Sequence, residues 1–214
     1  MNDQSLRQAV MDELEWEPSI NAAHIGVTAN NGAVTLTGHV DGYTEKWAAE
    51  RAAGRVNGVK AVVEELKVRY PFETPDDNDI AKSAINALSW DMEVPSNKVT
   101  VKVEKGWVTL SGSVDWYFQS SAAEADVRKL RGVVGVTNTI KIKPRVQGSD
   151  VKAKIKAAFA RNAQIDAGNI NVMADGGKVT LTGNVDSWYE RNLAENTAWS
   201  APGVTQVEDR LIIS

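Results

Sequence analysis

The stretch GAVTLTGHVD, residues 32–41, returns as GWVTLSGSVD at 106–115 and as GKVTLTGNVD at 177–186. The offsets between the copies are 74 and 71 residues, and the frame extends without a gap in both directions. In every copy a Gly-Val pair follows twenty residues after the glycine in the middle of the stretch. A fixed period of this kind is typical of repeated structural units. The sequence therefore predicts three copies of one unit.

The period divides the chain into three domains, at residues 1–70, 77–143 and 149–214. Each copy opens with apolar residues at every fourth position, which predicts a helix with one buried face. Two alternating runs joined by a Gly-containing turn predict an antiparallel hairpin. A second helix and the Gly-Val corner lead to a third strand parallel to the second. The predicted fold class is α+β: three tandem α-β-β-α-β units, each a three-stranded mixed sheet covered by two helices on one face.

Short polar residues that precede the predicted helices suggest N-caps, because their side-chain oxygens accept hydrogen bonds from free backbone N–H groups. For the first helices we predict caps at Asp77 or Asn78 and at Ser149. For the second helices, the candidates are the aspartates that end the repeated stretch: Asp41, Asp115 and Asp186. A shared acid or metal site would require these three carboxylates to converge from three copies. Capping requires no convergence, and we predict caps.

At these residues the chain resembles the BON domain family, named after bacterial OsmY and nodulation proteins. The resemblance rests on the pattern G-x-V-x-L-x-G-x-V followed by G-V and a further aliphatic residue. The first copy carries it at Val34, Leu36, Gly38, Val40, Gly58, Val59 and Leu66. The second carries it at Val108, Leu110, Gly112, Val114, Gly132, Val133 and Ile140. The third carries it at Val179, Leu181, Gly183, Val185, Gly203, Val204 and Leu211.

The resemblance implies a non-catalytic module of osmotic-stress and envelope proteins that is often proposed to bind phospholipid surfaces. Family members of this type are often exported and carry two copies. The first five residues here carry neither a basic nor an apolar region, so we expect no signal peptide and a cytoplasmic location. The motif glycines Gly38, Gly58, Gly112, Gly132, Gly183 and Gly203 are interpreted as structural, since backbone geometry explains them without a ligand.

Composition excludes several classes of function. The 214 residues contain no Cys and two His, which excludes disulfides, thiolate catalysis and Cys-type zinc sites. The net charge of −4 argues against duplex nucleic acid, which needs a basic footprint. No apolar run approaches the roughly 18–20 residues of a membrane span. The chain also lacks a nucleophile elbow, a P-loop and a dinucleotide fingerprint. We predict no enzyme activity, no cofactor and no metal.

Tryptophan is the compositional feature that suggests binding, since it accounts for seven of the fourteen aromatic residues. Trp16 and Trp90 share one position in the repeat, at the end of the first helix. Trp47 aligns with Ser121 and Asn192, which predicts an exposed side chain. Tryptophan suits both interfaces and lipid headgroup levels. Packing between copies and contact with a membrane or partner both remain open. We also expect the copies to pack on one another, because a unit of about 65 residues is marginally stable alone.

Two basic clusters are the second candidate for binding. The first helix of the third copy carries Lys152, Lys154, Lys156 and Arg161. This helix either contacts an anionic surface or presents a solvated face. The other cluster is Lys98, Lys102, Lys141 and Lys143, which either lies free on the second sheet or meets the acidic first helix of copy one.

The function we expect is therefore non-enzymatic binding, associated with osmotic or envelope stress. The leading partner is an anionic phospholipid surface, contacted through the third copy and the tryptophans. The alternative is a protein-protein interaction scaffold with no lipid role.

Overall fold

The computed structural model describes residues 2–95, 97–144 and 150–213. The first unit contains α1 (Asp3–Trp16), β1 (Ile25–Asn30), β2 (Ala33–Val40), α2 (Tyr43–Arg55) and β3 (Ala61–Val68). The second contains α3 (Asp77–Trp90), β4 (Val99–Glu104), β5 (Trp107–Val114), α4 (Tyr117–Arg128), β6 (Gly135–Asn138) and β7 (Lys141–Ile142). The third contains α5 (Val151–Arg161), β8 (Ile170–Asp175), β9 (Lys178–Val185), α6 (Trp188–Trp199) and β10 (Gln206–Ile213). This element order confirms the predicted α+β class.

The repeated stretch forms the central strand of every sheet. In the first sheet β2 pairs antiparallel with β1 and parallel with β3, and β9 pairs in the same way with β8 and β10. In the second sheet the third strand is interrupted, because β6 and β7 both pair parallel with β5. The predicted hairpin and parallel crossover are therefore both present.

Each unit has its own hydrophobic core between its helices and one face of its sheet. In the first unit Leu6, Val10 and Leu14 of α1 pack with Val34 and Leu36 of β2, and all five are almost fully buried. The second and third units repeat this arrangement. Because side chains alternate across a strand, the hydroxyls of the Val-Thr-Leu-Thr pattern lie on the opposite face.

The helix caps differ from the prediction. The cap of α3 is Asp76, which accepts a hydrogen bond from Asp79 N at 2.9 Å, so the helix begins one residue earlier than predicted. Asp77 instead accepts hydrogen bonds from the backbone N–H groups of Lys105 and Gly106, both at 2.8 Å, and so holds the hairpin turn. Ser149 lies outside the described residues.

The prediction that Asp41, Asp115 and Asp186 cap the second helices is wrong. The caps are the residues that follow them, Gly42, Trp116 and Ser187. The reason is that each aspartate contributes its backbone N–H rather than its carboxylate. The acceptor for that N–H is the side chain in the first turn of the helix: Glu45, Gln119 or Glu190.

Candidate functional site

The three units contact one another through the first residue of each second helix, which is aromatic in every copy. Tyr43 of α2 packs against the core of the second unit. Tyr117 of α4 stacks on Trp199 of the third unit, with ring centroids 4.7 Å apart and planes 11° from parallel. Trp188 of α6 lies against Gly54 of the first unit. The contacts therefore run from the first unit to the second, to the third and back to the first.

Burial at these contacts changes the ionisation of the two tyrosines. Loss of solvent raises the pKa of Tyr117, and the nearby charge of Glu195 in the third unit raises it further. Loss of solvent also raises the pKa of Tyr43. Both shifts are those of phenols held in a packed interface. The expectation that the copies pack on one another is thus fulfilled, with the second helices making the aromatic contacts.

This shared aromatic position was not among the contacts predicted from the sequence. Positions 43, 117 and 188 are separated by the repeat offsets, so they form one column of the alignment. A large aromatic side chain at an equivalent helix start in all three copies was the available signal.

We predict that Gly54→Leu weakens the contact between the first and third units. A Cβ atom at Gly54 would lie 2.8 Å from Trp188 Cδ1, closer than carbon atoms pack. Overpacking of this kind costs about 1–3 kcal/mol, offset by about 1 kcal/mol of helix propensity. Urea unfolding measures the change. The control is Gly54→Leu made in the Trp188→Ala variant, where it should leave stability unchanged or raise it. An equal loss of stability in both backgrounds would contradict the contact between Gly54 and Trp188.

Trp47 is half-buried, not exposed as predicted. The guanidinium carbon of Arg51, on the same helix, lies 4.4 Å from the ring centroid. That of Arg128, on α4 of the second unit, lies 4.1 Å from it. The prediction failed because a neighbouring unit covers this side chain. Trp47 is therefore part of an inter-unit contact.

Trp16 and Trp90 are two of the large aromatic side chains that the fold leaves exposed, together with Phe72, Trp107, Phe118 and Tyr189. They are 82% and 85% exposed, at the last residues of α1 and α3. Met92, two residues beyond Trp90, is fully exposed. Neither tryptophan is used in the core of its own unit, so both rings are available to an external partner.

The basic helix α5 places its charges outward and its apolar stripe inward. Lys152, Lys154, Lys156 and Arg161 are all exposed. Val151, Ile155 and Phe159 are buried in the core of the third unit. Across residues 2–95, 97–144 and 150–213, no carboxylate forms an ion pair with any of the four cations. A contact made by this helix is thus electrostatic rather than apolar.

The second basic cluster does not meet the acidic helix of the first unit. Lys98 pairs with Asp115 at 3.2 Å and Lys102 pairs with Glu104 at 3.1 Å, both within the second unit. Lys141 and Lys143 are exposed. Glu13 and Glu17 of the first unit pair instead with Arg55 of α2, at 2.9 and 3.3 Å. The proposed electrostatic fit between these two surfaces is therefore wrong.

The six motif glycines all adopt positive φ, as their structural interpretation requires. Gly38, Gly112 and Gly183 lie in the central strands with φ of 115°, 127° and 124°. Gly58, Gly132 and Gly203 turn the chain after the second helix, with φ of 92°, 90° and 94°. Their conformations account for the motif through backbone geometry.

In the part of the chain that the structure describes, no group of three His, Asp or Glu residues is arranged to hold a metal ion. His24 and His39 stack with ring centroids 4.5 Å apart. Among the same described residues, no helix combines the length and apolar character needed to cross a bilayer.

Comparison with known proteins agrees with the repeat. The model of the BON domain matches residues 2–70, 76–144 and 147–214. The chain is 32% identical over 152 residues to Osmotically-inducible protein Y of Escherichia coli (strain K12). This alignment covers 67% of this chain and 74% of that protein. The solved structure of CdsD, a structural protein of the type III secretion system of Chlamydia trachomatis, is 17% identical. That alignment covers 98% of this chain and 92% of the other, with a TM-score of 0.27, and supports no further conclusion. The three BON domain matches together span nearly the whole chain, and the chain therefore belongs to the BON domain family.

Proposed function

We propose that this chain is a non-enzymatic binding protein of the osmotic or envelope stress response, and that it contacts anionic phospholipid surfaces. The name of the Escherichia coli relative supports the association with osmotic stress. The observation that carries the lipid contact is the exposed face of α5, where four cations lie without ion-pair partners among the described residues.

The energetics favour a peripheral, salt-sensitive contact. Each Lys or Arg near an anionic leaflet contributes about 1 kcal/mol, so four together contribute about 4 kcal/mol. The attraction decays within the Debye length, which is about 10 Å at 0.1 M salt and about 3 Å at 1 M. The apolar stripe of α5 is committed to the core, so this helix adds no hydrophobic insertion. Trp16 and Trp90 supply amphipathic rings suited to the headgroup level.

The test is co-sedimentation with phosphatidylcholine vesicles and with vesicles containing phosphatidylglycerol, at about 0.1 M and about 1 M salt. We expect binding to the anionic vesicles alone, and its loss at high salt. Lys152→Glu combined with Lys156→Glu should weaken that binding at least tenfold, because two attractive charges become repulsive.

The matched control is Lys67→Glu with Lys82→Glu, which changes the net charge equally at two exposed lysines of the other units. It should bind nearly as well as the unmodified chain. No binding to either vesicle, or an equal loss in both double variants, contradicts the proposal.

The second candidate function is a protein-interaction scaffold. The exposure of Trp16, Trp90 and Met92 favours it, because aromatic and Met side chains are enriched at protein interfaces. Under this alternative, Trp16→Ala with Trp90→Ala abolishes capture of a specific partner protein while vesicle binding is absent in the unmodified chain.

A further inference from the structure

A cleft of about 400 Å³ lies between α2 of the first unit and α4 of the second. We call it the arginine cleft, and define it by Trp47, Arg51, Arg55, Arg128 and Lys129. Ala48 and Ala125 also line it and contribute apolar wall. Its volume falls within the roughly 300–1,000 Å³ of small-molecule sites.

Cations outnumber carboxylates among the residues that line this cleft. Four cations line it against two carboxylates, Glu17 and Glu45. Both carboxylates already have partners. Glu45 accepts hydrogen bonds from the backbone N–H groups of Asn21 and Asp41, each at 2.7 Å. Glu17 is bound to Arg55 and Ser19. Of the four cations, Arg51 alone forms no ion pair among the described residues. Arg55 pairs with Glu13 and Glu17, Arg128 with Glu124, and Lys129 with Asp126 at 3.8 Å.

The two arginines that flank Trp47 have unused donors. Arg51 forms no ion pair with a carboxylate among the described residues, and its guanidinium rests on the Trp47 ring. Arg128 pairs with Glu124 at 2.6 Å, yet its buried Nε finds no acceptor. A buried donor without an acceptor costs about 1–3 kcal/mol unless a ligand or solvent oxygen reaches it. Glu50 lines the adjoining groove with Trp188 and Arg51, and its charge interacts with that of Arg128.

The Trp47 ring holds both guanidinium groups close to it before any ligand binds, with their central carbons 4.4 and 4.1 Å from its centroid. Guanidinium forks match the oxygen geometry of phosphate, and stacking on an aromatic ring lowers the entropy lost on binding. The cleft is larger than a phosphate ion requires, and its additional wall is apolar. We propose that the arginine cleft binds the phosphate group of a small organic phosphate, with Arg51, Arg128 and Lys129 contacting the anion.

This site is separate from the face of α5, and it requires two units to be assembled. Arg51 and Trp47 come from the first unit, whereas Arg128 and Lys129 come from the second. In the third unit Asn192 and Asn196 occupy the positions of Trp47 and Arg51, so the repeat offers no equivalent set there.

The test is isothermal titration calorimetry of the full chain with glycerol 3-phosphate, inorganic phosphate and glycerol. We expect the two phosphates to bind and glycerol not to bind. Arg51→Gln should lower the affinity for glycerol 3-phosphate at least tenfold, because the anion loses a charged hydrogen-bond donor. Lys129→Gln, at a side chain that is 70% exposed, should weaken it as well. Arg69→Gln, an exposed arginine outside the cleft, is the matched control and should bind normally.

A parallel titration with phosphatidylglycerol vesicles separates a free phosphate from a lipid headgroup. If glycerol 3-phosphate binds and Arg51→Gln loses it, the ligand is a soluble phosphate. If only vesicles bind and Arg51→Gln loses them, the cleft holds the phosphate of a headgroup. If neither binds, or if Arg51→Gln and Arg69→Gln behave alike, the site is overturned. The α5 double variant should leave glycerol 3-phosphate binding unchanged, which keeps this result distinct from the vesicle test above.

Discussion

Gly183→Ala is expected to lower the free energy of unfolding by about 2–6 kcal/mol, one of the two largest effects expected for this chain. Gly183 lies in β9 with φ of 124°, a conformation that L-residues with a side chain rarely adopt. A Cβ atom there would overlap the carbonyl oxygen of Asn169. Backbone strain costs about 1–3 kcal/mol and the overlap about 1–3 kcal/mol more. Domains are stable by only about 5–15 kcal/mol in total.

Urea unfolding followed by far-UV circular dichroism measures this loss. The matched control is Gly176→Ala in the neighbouring hairpin turn. Gly176 also has positive φ, 57°, but a Cβ there meets nothing within 4 Å. Gly176→Ala should lower the free energy of unfolding by only about 1–2 kcal/mol, the cost of placing a side chain in the left-handed conformation. Equal losses at the two positions would show that the close approach to Asn169 is not what requires glycine in the repeated stretch.

The fold of each unit was predictable because the repeat shows the same physical constraint three times. The Val-Thr-Leu-Thr alternation defines a strand with one buried face, and Val34 and Leu36 are indeed completely buried. The glycine column marks a position where backbone geometry excludes a side chain. Neither feature depends on what surrounds the unit, so the order of residues within one copy is sufficient.

The contacts between units were not predictable in this way, because they break the equivalence of the copies. Gly54, Arg128 and Trp199 occupy one column of the repeat. Each meets a different neighbour: Gly54 meets Trp188, Arg128 meets Trp47, and Trp199 meets Tyr117. Variation within a column therefore reflects three different interfaces rather than exposure to solvent.

The residues of the arginine cleft were not predictable from the sequence for the same reason, since they too break the equivalence of the copies. Trp47 varies among the copies and was predicted to be exposed for that reason. Arg51 and Arg128 lie 77 residues apart in different units, and nothing in the spacing relates them. Only the packing of α2 against α4 brings both guanidinium groups to one ring.

Glu190→Ala is the second substitution for which we expect a large loss of unfolding free energy, about 2–6 kcal/mol. Glu190 is a buried carboxylate, with 6% of its surface exposed. Its oxygens accept hydrogen bonds from Asp166 N at 2.7 Å and from Asp186 N at 2.8 Å. The side chain thereby joins the loop after α5 to the start of α6. Removing it leaves two backbone N–H groups without acceptors, at about 1–3 kcal/mol each.

The chain supplies two comparisons that test whether burial sets the size of this effect. Glu45 makes the equivalent pair of bonds in the first unit, to Asn21 N and Asp41 N, but it is only half-buried. Glu45→Ala should cost less than Glu190→Ala, because water can reach the freed N–H groups. Glu190→Gln should lose about half as much as the alanine variant, since one amide oxygen still accepts a bond, as that of Gln119 does in the second unit. Chemical denaturation of the three variants measures the order of their losses in unfolding free energy. A loss for Glu45→Ala equal to that for Glu190→Ala would show that burial does not set the size of the loss.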